Sequence, residues 1–350
     1  MKRAVLPGSR RLVVSTCAAL ALIGSVQRVE TQSVPRAPQA RPAWAWQPAI
    51  PTVEPGKLDV LHVKGNVYML VGGGTNITVH AGKDGVLMVD TGPAATSQQV
   101  LAAVRSISTA PIRYIVNASE RDVYSGGNDV ISAAGASIPF RIATDVRVSD
   151  GRLGKERASV ISFVTVYHRK SAPTGQTAAR SEEAWPDDTY STPLKKLYFN
   201  DEPIMITHVP GNTDGNSIVH FRTADVISVG DLVDLTSFPY IDLNAGGSIQ
   251  AVIDGLQQVL DITIPGRKSE EGTLVIPGRG RLADQPDVTY YREMVAIVRD
   301  RVQDMIRRGM TLDQVKARRP ALEFEPRYGK TAGDWTTDKF IEAAYQSLKK

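Results

Sequence analysis

Five short loop signatures, each set at the end of a β-like run, constrain this chain more than any other feature. Asp90-Thr91-Gly92 closes the run 86–90, and the run 112–116 leads into a loop that ends in Ser125-Gly126-Gly127-Asn128. Pro210-Gly211-Asn212-Thr213-Asp214-Gly215 follows the run 203–208, Gly230-Asp231 follows 225–229, and Pro277-Gly278-Arg279-Gly280 follows 273–276. Glycine supplies backbone angles closed to other residues, and Asp or Asn caps turns, so such loops hold side chains in fixed places.

The runs 58–64, 67–71, 76–80 and 86–90 are separated by Gly or Lys-Asp-Gly turns, a spacing that predicts antiparallel pairing. A helical pattern over 96–107 places Val100, Leu101 and Val104 on one face and is followed by the strand 112–116. Asn128 suits the N-cap of a second helix ending before Gly135, with a further strand at 138–143. Residues 144–192 are polar, carry one β-like run at 160–167, and read as a long insertion over one end of the sheets. The second half repeats the alternation, with strands at 196–200, 203–208, 217–222 and 225–229, a helix over 248–260 and a strand at 273–276. Helices over 287–308, 312–318 and 338–348 complete it. Two halves of this form predict an α/β fold: an αββα sandwich of two mixed β-sheets packed face to face, helices outside, plus C-terminal helices.

The loops, in this order, resemble those of the metallo-β-lactamase fold. Residues 117–128 resemble its Asn-Thr-His-x-His-x-Asp-His-x-Gly-Gly-Asn, and 210–215 its Pro-Gly-His-Thr-x-Gly. The strands ending in Asp-Thr-Gly, in Gly-Asp and before Pro-Gly-His-Gly have counterparts at Asp90, Asp231 and Arg279. The resemblance implies one or two zinc ions and hydrolysis by metal-bound hydroxide. Here the family's metal-ligand positions read Ser119, Arg121, Val123, Tyr124, Asn212, Asp231 and Arg279, and only Asp231 remains a good ligand.

Arginine stays protonated and offers no acceptor lone pair, so Arg121 and Arg279 would repel a dication. No metal and no cofactor is therefore expected. Three readings remain open for the cleft. In the first, Arg121 and Arg279 neutralise Asp231 and replace the metal as a structural Arg-Asp-Arg cluster. In the second, Arg121, Tyr124, Asn212, Asp231 and Arg279 form a ligand-binding site for a small anion, with Ser119 and Thr213 adding hydrogen bonds. The third is catalysis without zinc: an ester, amide or lactam hydrolase with an oxygen-ligand Mg or Ca site built on Asp231, Asn212 and Asp122 or Asp214.

Little else could rebuild an active site. His62, His80, His168, His208 and His220 lack the spacing of a ligand pair, and His208 at its loop entry resembles a non-ligand His of the family. A serine mechanism at Ser119 or Ser125 would need Tyr124 or Glu120 as base. Gly72-Gly73-Gly74 precedes no helix with Gly-Lys-Ser/Thr and reads as a strand connection.

The chain begins with Lys2, Arg3, Arg10 and Arg11 before an apolar run over 12–26, too short for a stable membrane span, as in a secretory leader. Arg10-Arg11 admits the twin-arginine route. The expected organisation is a leader at 1–27, a linker or extended arm at 28–56, a metallo-β-lactamase-like domain at 57–283 and a C-terminal helical extension at 284–350. The formal charge of +4 equals the leader's own four cations, which leaves the remainder near neutral and gives no argument for nucleic acid. Cys17, the only cysteine, lies in the leader, so no disulfide, thiolate nucleophile or Cys-zinc site is expected after cleavage. The sequence reading is thus an exported protein, periplasmic or secreted, with a binding or structural role at a degenerate metallo-hydrolase cleft. The protein partner is unknown and no stable membrane span is expected after cleavage.

Overall fold

A computed structural model describes residues 58–137, 156–172, 181–266 and 272–349, all within one unit, 48–350. The leader, the arm and the strand expected at 138–143 lie outside the described residues. The first half forms β1 (Asp59–Lys64), β2 (Val67–Val71), β3 (Ile77–Gly82), β4 (Gly85–Val89), α1 (Ser97–Ile107), β5 (Ile112–Val116), α2 (Asp122–Ser125) and α3 (Asn128–Ala133). It continues through β6 (Ser159–Phe163), α4 (Val164–Ser171) and β7 (Asp188–Tyr190). The second half holds β8 (Leu194–Phe199), β9 (Glu202–His208), β10 (Ser217–Phe221), β11 (Val226–Ser228), α5 (Ile249–Ile262) and β12 (Leu274–Ile276). The tail adds α6 (Gln285–Arg307), α7 (Leu312–Ala317), α8 (Glu325–Tyr328) and α9 (Thr337–Leu348).

A seven-stranded sheet runs in the order β1 to β7, antiparallel through β4 and parallel from β4 to β7. The five-stranded sheet has the order β12-β11-β10-β9-β8, with only β11 and β12 parallel. Strand alternation sorts the core into layers. Leu87 and Val89 of β4 join Val219, Phe221 and Ile276 between the sheets. Their neighbours Val86 and Met88 face outward with Val100 and Val104 of α1. On the far side, Ile218, Ile227 and Val275 pack on Val252 and Leu256 of α5, Val295 of α6 and Phe340 of α9 in one core. The sheets are two mixed layers with helices outside, as the patterning predicts.

Three expectations change. The run 160–167 is not one strand, because it breaks at Phe163 and Val164 opens α4. Its apolar residues fit either state, and tertiary packing decides: Val166 is fully buried, and a Cβ on Gly215 would lie 2.9 Å from its side chain. The region 144–192 is accordingly more than an insertion, since β6 and β7 extend the first sheet by two parallel strands. Asn128 does not cap α3, whose N-cap is Gly127. Its amide turns inward and accepts from Thr91 Oγ1 at 3.0 Å and Asn117 Nδ2 at 3.1 Å. Elsewhere the caps follow the sequence: Ser248 accepts from the Ala251 N–H, and Asp284 and Asp287 form a capping box that starts α6 two residues before the expected 287.

Candidate functional site

The signature loops leave the carboxyl ends of β4, β5, β9, β11 and β12, and the parallel or antiparallel order of these strands puts those ends on one side of the sandwich. Loop-to-loop bonds close the cluster. Asp90, at φ 65°, turns its carboxylate to accept from the Ala118 N–H at 2.9 Å, and the Ala118 carbonyl accepts from the Ser217 N–H at 3.0 Å. Asn76 donates to the Pro277 and Gly280 carbonyls, each at 2.9 Å.

Asp231 sits at the centre, 2% exposed. Its Oδ1 accepts from Asn216 Nδ2 at 2.7 Å and its Oδ2 from Ser119 Oγ at 3.1 Å. Arg121 Nη1 stands 3.5 Å from the same Oδ2, and the guanidinium lies 3.6 Å above the centroid of the Tyr240 ring. Burial raises the Asp231 carboxyl above its usual range, and the charge of Arg121 and the Ser119 hydroxyl pull it back. Asp90 is held well above that range by burial, and the Asp231 charge adds to the effect.

Asn212 is fully buried, donates Nδ2 to the Tyr240 carbonyl at 2.7 Å, and leaves its Oδ1 without a partner. Tyr124 is also fully buried, its carbonyl accepting from the N–H groups of Thr91 and Gly92. Val123 contributes only its carbonyl, which accepts from Thr75 Oγ1 at 3.0 Å. Arg279 departs from the expected Arg-Asp-Arg cluster. It reaches Asp234 Oδ2 at 3.5 Å and donates Nε to the Gly74 carbonyl at 2.8 Å, because the loop after β12 runs beside Asp234 in an isolated bridge. The arginines serve two different carboxylates.

The sequence reading missed a second cationic element. Arg169 of α4 donates to Glu120 Oε1 at 3.0 Å, Asp214 Oδ1 at 2.6 Å and the Ala245 carbonyl at 3.2 Å. Thr213 Oγ1 binds the other Glu120 oxygen at 3.0 Å. Lys170, 5% exposed, lies 3.7 Å from Asp122, and burial lowers its pKa to about 8 against the charges of Glu120 and Asp90. Arg169 thus ties the loop 117–128 to the loop 210–215, and Lys170 adds a contact to the former, both from the segment 144–192. His208 packs as a structural residue, stacked on Phe163 at 3.4 Å with Nε2 2.7 Å from the Asp214 carbonyl.

These residues do not fit a zinc ion. The two oxygens of Asp231 already accept from Asn216 and Ser119, a guanidinium stands beside them, and the described residues hold no group of three or more His, Cys, Asp or Glu able to take a metal.

Close packing around Tyr124 and Ala118 explains why two glycines are needed. A Cβ on Gly278 would lie 2.5 Å from the Tyr124 hydroxyl and 2.5 Å from the Gly230 carbonyl oxygen. Gly230 itself, at φ 52°, would meet Ala118 Cβ at 2.6 Å. Gly278→Ala is expected to lower stability by about 2 kcal/mol in urea unfolding, the usual scale of an overpacked site. A change within about 0.5 kcal/mol would show that Tyr124 yields freely.

The chain has the metallo-β-lactamase fold. The stereoselective inverting sec-alkylsulfatase Pisa1 from Pseudomonas sp. superposes with a TM-score of 0.54 at 14% identity, over 83% of this chain and 50% of that one. A metallo-β-lactamase from Pontibacter korlensis aligns with 69% of this chain and 99% of its own length, at a TM-score of 0.49 and 14% identity. The chain therefore spans half the length of the alkylsulfatase, and at this identity the likeness speaks for the fold alone. No family model matches the chain. Human retinoblastoma-like protein 2 is 28% identical over 183 residues, 43% of this chain and 15% of that protein, too little of either to carry a fold or an activity across.

Proposed function

We propose that this protein is a metal-free, degenerate homologue of the metallo-hydrolases that share its fold, and that its old active-site cleft binds a small anion through Arg121. The observation that carries the reading is the guanidinium beside Asp231, which brings positive charge where the family brings a metal. Buried carboxylates need a counter-charge, and an arginine supplies one without offering a ligand. Stacked on Tyr240 and only partly exposed, Arg121 is also preorganised to present its remaining N–H groups to an oxyanion.

Metal analysis of the purified full chain tests the first half. The expected content is far below one zinc per chain, and one equivalent or more of tightly bound zinc would sink the reading and restore a metal-dependent hydrolase. A thermal-shift series with phosphate, sulfate and small carboxylates tests the second. Arg121→Ala is expected to abolish whatever response the native protein gives. The leader-like start of the chain supports export to the periplasm or beyond, which fractionation of expressing cells would check.

A further inference from the structure

The groups around Arg121 do not form a simple anion clamp, because acceptors stand among the donors. Arg121 Nη1 faces Asp231 Oδ2 at 3.5 Å, an ion pair too long for a good hydrogen bond. Its other guanidinium N–H groups have no acceptor among the described residues, while its backbone N–H donates to Ser119 Oγ at 3.3 Å. Asn212 flanks the same Tyr240 on which Arg121 stacks. Its Nδ2 is committed to the Tyr240 carbonyl, and its fully buried Oδ1 has no donor.

An orphaned buried acceptor costs about 1–3 kcal/mol, so a donor brought to it would be rewarded. A fully ionised tetrahedral anion would satisfy the guanidinium, but it would stand against the Asp231 carboxylate and leave Asn212 Oδ1 unfilled. An oxyanion with its own hydroxyl binds the guanidinium through its oxygens and donates its O–H to one of the two acceptors. Asn212 Oδ1 has no exposed surface, whereas Arg121 is partly exposed, so an anion enters at the guanidinium and its hydroxyl is the donor offered to that oxygen.

Resting on the anion reading above, we infer that the Arg121 cleft selects oxyanions that carry a hydroxyl, of the hydrogenphosphate or phosphate-monoester type, over fully deprotonated anions such as sulfate. Arg121 supplies the charge, and Asp231 with Asn212 supplies the selection.

The test is isothermal titration of the full chain with sodium phosphate and with sodium sulfate, at pH 7 and matched ionic strength. Phosphate is expected to bind tighter by about tenfold, the worth of one hydrogen bond to a charged group. Asp231→Asn removes the repulsion and adds a donor, so the preference is expected to vanish or invert. Asn212→Leu is expected to weaken phosphate and leave sulfate unchanged, and it decides the matter if Asp231→Asn does not fold. Equal affinities in the native protein would overturn the selection while leaving the anion site standing. No binding of either anion would overturn both.

Discussion

Arg169→Met is expected to cost the fold about 2–3 kcal/mol in urea unfolding. A buried ion pair broken on one side costs about 3–5 kcal/mol because the surviving charge is left without a partner. The partial exposure of Arg169, at 29%, places the expectation at the low end. Glu120 is the partner that matters. Its side chain is 11% exposed, burial already raises its carboxyl above the usual range, and the charge of Arg169 is the largest influence lowering it again. Without Arg169 the carboxylate must take a proton or draw in water, and Asp214 loses a contact of 2.6 Å. Glu120→Gln added to Arg169→Met is expected to recover a good part of the loss, since the amide keeps the shape and the Thr213 contact without the charge. A single-variant loss below about 0.5 kcal/mol, the scale of an exposed pair, would show that α4 does not hold the loops together.

Ion pairs between side chains cross-link the signature loops. A metal ion cross-links loops by drawing ligands from several strands to one point. Here Asp231, Glu120, Asp122 and Asp214 come from the loops, and the opposing charges come from Arg121 inside the first loop and from Arg169 and Lys170 of α4. The glycines and asparagines that shape the loops remain in use. Asn128 closes its loop onto Asn117 and Thr91, and Gly215 makes room for Val166 of α4.

Most of the architecture was legible because period-two runs and glycine turns carry strong local signals, and the order of the signature loops was legible because glycine and Asx residues mark positions with little freedom. Arg121 was legible because it stands where the fold expects histidine. Three things were not. Val164 to Tyr167 reads equally as strand or helix, and only the packing of Val166 under Gly215 decides it. Arg169 and Lys170 carried no local mark, since a basic pair after an apolar run is ordinary at a helix C-terminus. A pairing across 49 residues, such as Arg169 with Glu120, leaves no periodic trace. Arg279 serves Asp234 because a shared motif position does not fix a shared partner, and the bridge beside Asp234 sets its reach.

His80→Phe is expected to flatten the acid limb of the stability curve. His80 lies on β3 with no exposed surface, its ring 5.2 Å from that of Phe221 and 6.5 Å from that of Phe199, and its Nε2 has no partner. Burial lowers its pKa from 6.5 to about 4, so the native state holds the neutral ring. The sign follows: the unfolded chain takes up a proton near pH 6.5 and the native chain only near pH 4, so the stability from this group is intact above 6.5 and is lost as pH falls through about 4. The shift corresponds to about 3 kcal/mol. Asp90, Glu120 and Asp231 act in the opposite sense, because their raised pKa values favour the folded state as pH falls. The raw curve of the native protein therefore mixes both signs, and the difference between native protein and His80→Phe isolates the imidazole. Phenylalanine suits the aromatic surroundings and is expected to cost less than about 1.5 kcal/mol at pH 7. Measured by urea unfolding from pH 8 to pH 4, the difference should stay level down to about pH 7 and then move by up to about 3 kcal/mol in favour of the variant. A level difference across the whole range would mean that the ring is charged in the fold, and that the layer between the sheets admits a proton with its water.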